Sequence, residues 1–501
     1  RMSGWGPWWA LLTVPALLAL PRPAARRQDG PPAPPQPAAV ESRPNLLLVV
    51  MDTTRADHLG CYGYPRPTTP HLDALARESI VFEQCHTVLT HTTPSHASLF
   101  TGVEPMAHGV LACSFRSPEN VQESRALVST AGFRTVAELL QSSGWDTGGF
   151  VTAATTKRIT GLAAGFTAWG EPDGEVRPGA EARDEALAWL ADAREPFFLW
   201  THFFDAHAPP REDNRVHLET FAPDEAMRRH MAERRIGAPP SGAPARAPAG
   251  RVAELEREIA RYDAGIRLID DHFAAIRAAL VARGAWERTT VVVVADHGEG
   301  LGQHNFPLHG PVWREGTHVP FLLRVPGRAP ERVATVVSLI DVFPTALSAV
   351  PGFPAGEFLA QAQGRDVLAP DFAERAVFSM SPPNRGELAL TTANWKWIRR
   401  TRGKHALYDI AKDPHEFTDV AAKHPDVAAG LDRQLLERVR EQRARNLEIY
   451  SGERHGGRLS KEAEEQLRAE LAKLGYVEEE AGTADGDADA AADDGSEEER
   501  H

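Results

Sequence analysis

The sequence predicts an α/β fold with a mostly parallel central sheet between helices, and two observations support this. After residue 44, short runs of β-type apolar residues alternate with longer amphipathic stretches. The runs are apolar throughout, which is typical of strands that helices cover on both faces. Hydrophobic residues make up 42% of the 501 residues and charged residues 25%. This ordinary globular composition excludes a disordered, fibrous or polytopic membrane protein.

The predicted elements follow in chain order. Strands of the main sheet are predicted at 45–51, 196–204, 291–295 and 319–325. Helices are predicted at 70–78, 135–142 and 252–282, and Pro94 is expected to be the first residue of another helix, capped by the hydroxyls before it. Residues 376–380 and 395–400 suit strands of a smaller sheet, and 425–446 and 460–474 have helical periodicity.

The two ends of the chain differ from its middle. Residues 1–44 hold a 13-residue apolar run and a Pro-rich stretch, which predict a signal peptide, or alternatively an N-terminal membrane anchor, followed by a linker. Export to the periplasm, the envelope or the medium is therefore expected. The main domain is predicted at 45–370, a C-terminal subdomain with helices at 371–477, and a disordered acidic tail at 478–501.

Charge and cysteine content exclude two further classes. The formal net charge is −14, and the tail contains eleven acidic residues against one Arg. A nucleic-acid-binding protein should instead present basic surface, so no nucleic-acid partner is expected. The three cysteines are too few for a disulfide scaffold and lack the paired spacing of a thiolate zinc site.

Acidic residues follow three of the predicted strands. Asp52 follows the first, Asp205 the second with His207 two residues on, and Asp296 and His297 follow the third. The carboxyl ends of strands form the ligand crevice in open α/β sheets. Carboxylates that converge there with imidazoles repel one another unless a cation binds between them. The pattern therefore predicts a divalent metal site, against the alternative of unrelated turn residues.

The segment 90–102 (THTTPSHASLFTG) adds hydroxyl groups at a predicted helix start. A helix N-terminus favours anions such as phosphate or sulfate. Coordination to a metal lowers the pKa of a hydroxyl, which makes it a nucleophile.

These segments resemble the sulfatase family of the alkaline phosphatase superfamily. The similar text, in order, is PNLLLVVMDTTRADHLGCYGY, TPHLDALA, TTPSHASLFTG, FDAHAP, VVVVADHGEGLGQH, HVPFLLRVPG, SLIDVFPT and LYDIAKDPHE. The resemblance spans about residues 44–420 and implies the alkaline-phosphatase-like fold, with a parallel-centred sheet and a small C-terminal antiparallel sheet. It also implies a metal site at Asp52, Thr92, Asp296 and His297, with Thr92 in the position of the nucleophile.

Four departures separate this chain from typical sulfatases. Thr92 replaces the Cys or Ser that those enzymes convert to formylglycine, and its extra methyl group prevents that conversion. His96 stands where the family motif ends in Arg, Thr53 replaces the second acid after the first strand, and a GKWH-type segment is absent. No formylglycine is therefore expected.

The remaining candidates concern the substrate. His207 and His309 are expected to contact the substrate anion or protonate the leaving oxygen. Alternatively, Asp205, His207 and His309 form a second metal site. His202 is left between a core and a functional role, and Arg55 is expected to pair with a nearby carboxylate. One or two ions of Ca²⁺, Mg²⁺, Mn²⁺ or Zn²⁺ are compatible with these ligand types.

Together these patterns predict a metal-dependent ester hydrolase that uses Thr92 as its nucleophile. A Thr ester must be released by a second displacement, which phosphorus tolerates well, so a phosphate ester is preferred to a sulfate ester. The expected substrate is a small-molecule, glycan or lipid-headgroup ester. The alternatives are a sulfatase proper, or an inactive sulfatase-like protein that binds a partner at the envelope.

Deletion of residues 478–501 should leave ester hydrolysis within about twofold of the full chain, because a solvated acidic tail adds no packed surface. Turnover of an aryl phosphodiester by both forms measures this. A large loss of activity would assign the tail a catalytic role.

Overall fold

A computed structural model describes residues 43–113, 133–207, 216–237 and 249–450. The predicted signal or anchor segment, the predicted helix at 460–474 and the acidic tail lie outside the described residues. No described helix has both the length and the apolar character needed to cross a membrane.

The described strands, numbered in chain order, form two sheets. They are β1 (Asn45–Met51), β2 (Ile80–His86), β3 (Asp146–Phe150), β4 (Ala168–Gly170), β5 (Phe197–Phe203), β6 (Thr289–Val294), β7 (His318–Val319), β8 (Phe321–Arg324), β9 (Glu331–Ser338), β10 (Val377–Met380), β11 (Glu387–Thr391), β12 (Trp395–Arg400) and β13 (Ala406–Asp409).

The larger sheet is mixed but parallel at its centre, as predicted. Its spatial order is β4-β3-β5-β1-β6-β8-β2-β7, and β9 pairs with β2. Strand β1 lies between β5 and β6 and runs parallel to both. All three are buried along their whole length, which explains why their sequences are mostly apolar; their polar residues are Asn45, Thr201, His202, Thr289 and Thr290. Strand β8 is antiparallel to both of its neighbours, β6 and β2.

The described α-helices cover this sheet and extend beyond it. They are α1 (Pro70–Ala76), α2 (Thr92–Thr101), α3 (Pro105–His108), α4 (Val136–Ser142), α5 (Gly179–Asp192), α6 (Glu225–Glu233), α7 (Ala249–Ala282), α8 (Arg314–Thr317), α9 (Val342–Ser348), α10 (Ala355–Gln361) and α11 (Pro425–Tyr450). The predicted start of α4 is confirmed by a capping box, in which Thr135 and Glu138 satisfy each other's backbone N–H groups.

Two local predictions are wrong, and proline is central to both. The predicted strand 319–325 is divided into β7 and β8 at Pro320, which has no N–H for the ladder. Helix α2 begins at Thr92 rather than at Pro94, and its N-cap, His91, makes no side-chain capping bond. Pro94 is tolerated in the first turn because N–H groups there have no partner within the helix.

The smaller sheet is antiparallel throughout, in the order β10-β11-β12-β13. Lys396 on β12 is fully buried, and its Nζ lies 2.8 Å from Glu416 Oε1. The other oxygen of Glu416 accepts the backbone N–H of Arg314 at 3.1 Å, and its carbonyl accepts His304 Nε2 at 3.1 Å. Glu416 thus joins the smaller sheet to the segment between β6 and β7.

Replacement of Lys396 by Met should lower the free energy of unfolding by about 3–5 kcal/mol, because the Glu416 carboxylate would remain buried without its cation. Urea denaturation of the two proteins measures the difference. Lys412→Met is the matched control, since Lys412 is 84% exposed in its ion pair with Asp409. Equal stability of the two variants would contradict a structural role for the buried pair.

Candidate active site

The site is built at the carboxyl edge of the parallel strands. Asp52 follows β1 directly, and Asp296 lies two residues beyond the end of the neighbouring strand β6. Asp296 Oδ1 accepts the backbone N–H groups of Thr53 (3.1 Å) and His297 (2.9 Å). These bonds fix the Asp296 carboxylate beside the turn that carries Asp52.

Thr92 presents its hydroxyl to this group from the first residue of α2. Its Oγ1 lies 3.5 Å from Asp52 Oδ2 and 3.5 Å from His297 Nε2, and the residue is only 3% exposed. His297 Nδ1 lies 3.0 Å from the carbonyl of Gly298, which acts as acceptor. With the proton on Nδ1, the lone pair of Nε2 faces the hydroxyl. The structure therefore brings together all four residues of the predicted metal set.

The electrostatics of this group favour a cation. Burial raises the pKa of Asp52 to about 7. Burial and the nearby charge of Asp52 also raise the pKa of Asp296, and burial lowers that of His297. Asp52 Oδ1 and Asp296 Oδ2 are buried without a hydrogen-bond partner. Donor atoms of Asp52, Asp296 and His297 lie within 4.8 Å of one another. Two carboxylates, an imidazole and a hydroxyl fit a divalent metal ion.

Two buried histidines form hydrogen bonds to Asp52 and Thr92. His202 Nε2 donates to Asp52 Oδ2 at 3.0 Å, and burial lowers the pKa of His202 to about 3, so it donates as a neutral ring. His96 Nδ1 donates to the carbonyl of Thr92 at 2.8 Å. The sequence left the role of His202 open, and the structure places it against a candidate metal ligand.

Four imidazoles form one side of the site. The ring centre of His309 lies 4.6 Å from His297, 5.1 Å from His207 and 5.2 Å from His91. His207 also stacks on Phe204 at 4.0 Å. His207, His297 and His309 were predicted from the sequence, and His91 was not. His91 lies directly before Thr92, at the N-cap of α2, and this position in the sequence could have indicated it.

Glu299 is a second residue that the sequence analysis missed. Burial lowers the pKa of His309, but the buried Glu299 carboxylate, 3.5 Å from His309 Nδ1, together with the charges of Asp52 and Asp296, outweighs burial and raises it. The His309 ring is thereby favoured in its protonated form, which suits an acid beside the reacting group.

The structure does not gather the proposed second metal set. Asp205 Oδ1 accepts the N–H of Gly179 at 3.3 Å, at the start of α5, and lies 3.9 Å from His272 Nε2 on α7. Asp205, His207 and His309 do not form a group with donor atoms within 4.8 Å among the described residues. A second metal here remains a prediction without support from this arrangement.

The turn after β1 is held by Tyr262 of α7. The Tyr262 hydroxyl donates to the carbonyl of Thr53 at 2.7 Å and accepts the N–H of Arg55 at 2.8 Å. Thr53 has a φ of 53°, in the left-handed region that β-branched residues rarely adopt. Arg55 forms a buried ion pair with Asp57, in agreement with its expected pairing role. Tyr262 thus stabilises the strained residue whose N–H binds Asp296.

A hydroxyl, two carboxylates and an imidazole at the edge of the parallel strands are groups suited to metal-assisted ester hydrolysis. Residues 44–353 match the family described as Sulfatase, and the chain belongs to that family of hydrolases. The four-stranded antiparallel sheet that the resemblance implies is also present.

Proteins similar to the chain include a sulfatase, another member of the alkaline phosphatase superfamily and a phosphonate monoester hydrolase. The chain is 24% identical to an ulvan-active sulfatase from Formosa agariphila, over 79% of this chain and 82% of that protein. It is 25% identical to the multifunctional alkaline phosphatase superfamily protein PehA from Trinickia caryophylli, over 76% and 91%. The phosphonate monoester hydrolase of Agrobacterium radiobacter has a similar fold, with a TM-score of 0.61 at 22% identity over 80% and 96% of the two chains.

Tyr262→Phe should weaken divalent metal binding roughly 10- to 100-fold, because the hydroxyl that orients the Thr53 turn is lost. Metal titration of chelator-treated protein measures the dissociation constant. Tyr64→Phe is the matched control, since its buried hydroxyl donates to Asp263 and makes no bond to Thr53. An equal loss of affinity in both variants would contradict a specific role for Tyr262.

Proposed function

We propose that this protein hydrolyses a phosphoester, with Thr92 as the nucleophile. The observation that carries the proposal is the position of the Thr92 hydroxyl. It lies at the start of α2, buried, and within 3.5 Å of both Asp52 and His297. A divalent metal held by Asp52, Thr92, Asp296 and His297 would lower the pKa of that hydroxyl and offset charge that develops on the ester.

The first half of the reaction transfers the phosphoryl group to the protein. Thr92 Oγ1 passes its proton to solvent water and attacks phosphorus, the Oγ1–P bond forms, and the bond from phosphorus to the leaving oxygen breaks. The leaving oxygen needs a proton, and His309, which Glu299 favours in the protonated form, is placed to supply it. His207 and His91 adjoin His309 and are suited to bind the non-reacting oxygens by N–H donation.

The second half releases Thr92. A water molecule attacks phosphorus in the covalent intermediate, the Oγ1–P bond breaks, and the Thr oxygen regains a proton from solvent water. His309, deprotonated in the first half, is placed to accept the proton of that water. His202 and His96 hold Asp52 and the Thr92 backbone in place through both halves.

The residue type at position 92 favours phosphorus over sulfur. Formylglycine releases sulfate by elimination, whereas a Thr ester has to undergo a second displacement, which phosphoryl groups tolerate well. The second candidate is a sulfate ester, and the similarity to an ulvan-active sulfatase favours it. In both cases the substrate is an anionic small-molecule, glycan or lipid-headgroup ester.

The formal net charge of the metal centre indicates which kind of phosphoester it binds best. The two positive charges of a divalent cation are offset by ionised Asp52 and Asp296, and the charge of a protonated His309 is offset by the deprotonated Thr92 oxygen, which gives a centre with no net charge. Such a centre suits a monoanion better than a dianion, which favours a phosphodiester over a phosphate monoester.

Export remains part of this proposal, based on the apolar run within residues 1–44.

Thr92→Ala should reduce hydrolysis of an aryl phosphodiester by roughly 10³-fold or more, because the covalent route is lost. Initial rates with aryl phosphodiester, aryl phosphate and aryl sulfate compare the wild type with the variant. Undiminished turnover in Thr92→Ala would refute the assignment of the nucleophile.

Thr92→Ser provides the matched control, because it keeps a hydroxyl at the same place and should retain much of the phosphodiesterase activity. The mass of the peptide that contains residue 92 verifies in each preparation that the side chain is unmodified. Preferred turnover of aryl sulfate by protein with unmodified Thr92 would instead identify a sulfatase.

A further inference from the structure

Outside the candidate active site, one cluster of potential metal ligands lies on the surface of the fold. Ligand atoms of His71, Asp270 and Asp271 lie within 4.8 Å of one another. His71 is the second residue of α1, and the two aspartates are on α7. His217, in the segment before α6, lies with its Nε2 2.7 Å from Asp271 Oδ2. Two parts of the chain thus bring one imidazole and two carboxylates within 4.8 Å of one another, and His217, from a third part, is hydrogen-bonded to one of the carboxylates.

We propose that this cluster is a second divalent metal site, selective for Zn²⁺, with His71, Asp270 and Asp271 as ligands, and with His217 turning from its hydrogen bond with Asp271 to complete the set. His71 Nε2 lies 4.0 Å from Asp271 Oδ1, and the His71 side chain is 45% exposed. It can therefore rotate toward an ion without repacking the core. None of these residues belongs to the candidate active site.

The carboxylates of this cluster are already oriented by other groups. Asp270 accepts the backbone N–H groups of His71 (2.9 Å) and Leu72 (2.7 Å), and so caps the first turn of α1. Arg267, one turn earlier on α7, donates to Asp271 Oδ1 at 3.0 Å. Each carboxylate oxygen has a further lone pair, and metal-binding carboxylates are commonly hydrogen-bonded in this way.

The ligand types favour zinc among the common divalent ions. Two imidazoles with carboxylate oxygens are a common ligand set for Zn²⁺, whereas Ca²⁺ and Mg²⁺ prefer oxygen alone. Burial raises the pKa of Asp270 to about 7, and a nearby cation would favour its ionised form.

Zinc at this site would tie α1 and the segment before α6 to α7. Asp270 lies eight residues after Tyr262 on α7, about 12 Å along the helix axis. The ion would therefore stabilise the helix that holds the turn after β1, at a distance from the reacting groups. We expect zinc bound at this surface site to raise the melting temperature of the protein, and we expect ester hydrolysis not to require zinc at this site.

The experiment counts zinc ions bound to the chelator-treated full-length protein by isothermal titration and elemental analysis. The wild type should bind one more equivalent of Zn²⁺ than His71→Ala/His217→Ala. Any zinc that the double variant still binds at this site should have a dissociation constant roughly 10-fold or more higher than in the wild type. Asp52→Asn should keep that equivalent, which separates this site from the candidate active site. Far-UV circular dichroism of each variant verifies folding, and His71→Gln provides a milder change.

His424→Ala is the matched control, because it removes an exposed imidazole in another part of the fold. It should retain both the zinc stoichiometry and the rise in melting temperature. The proposal is overturned if the wild type and folded His71→Ala/His217→Ala bind the same number of zinc ions with equal affinity. It is also overturned if His424→Ala loses as much zinc as the double variant.

Discussion

The parallel pairing of β1 with β6 is the constraint on which the site depends. This pairing places Asp52 and Asp296 side by side, both fully buried. Burial raises the pKa of both carboxylates, the charge of Asp52 raises that of Asp296 further, and each keeps an oxygen without a hydrogen-bond partner. Hydrogen bonds from surrounding residues keep the two carboxylates in this unfavourable arrangement, in which a cation can bind. Tyr262 fixes the turn after β1, and His202 fixes the orientation of Asp52.

Much of the fold and the centre of the site could be predicted from the sequence, because both depend on local patterns. A strand buried on both faces is mostly apolar, so β1, β5 and β6 are visible as apolar runs with few polar residues. The rule that ligands collect beyond the carboxyl ends of such strands then indicates Asp52, Asp296 and His297. Thr92 was identified by resemblance and not by pattern, since a hydroxyl at a helix start is common in any protein.

The residues that could not be predicted act through contacts between distant segments. Tyr262 lies within a long helix, and its hydroxyl meets Thr53 only after that helix packs against the sheet. Asp205 is a residue that the sequence predicted in the site and the structure places elsewhere. It follows a strand of the same sheet, but its side chain accepts the N–H of Gly179 at the start of α5. Chain order gives the edge at which a residue lies, but the side-chain direction depends on packing.

The bond between Glu416 and His304 has a consequence for how members of this family can diverge. His304 lies in the same segment as His309, between β6 and β7, whereas Glu416 follows the last strand of the smaller sheet. The segment that matches the family ends at residue 353. Glu416 therefore anchors the segment that carries His309 from outside the matched residues. A substitution at Glu416 would change that anchor while leaving every residue up to 353 unchanged.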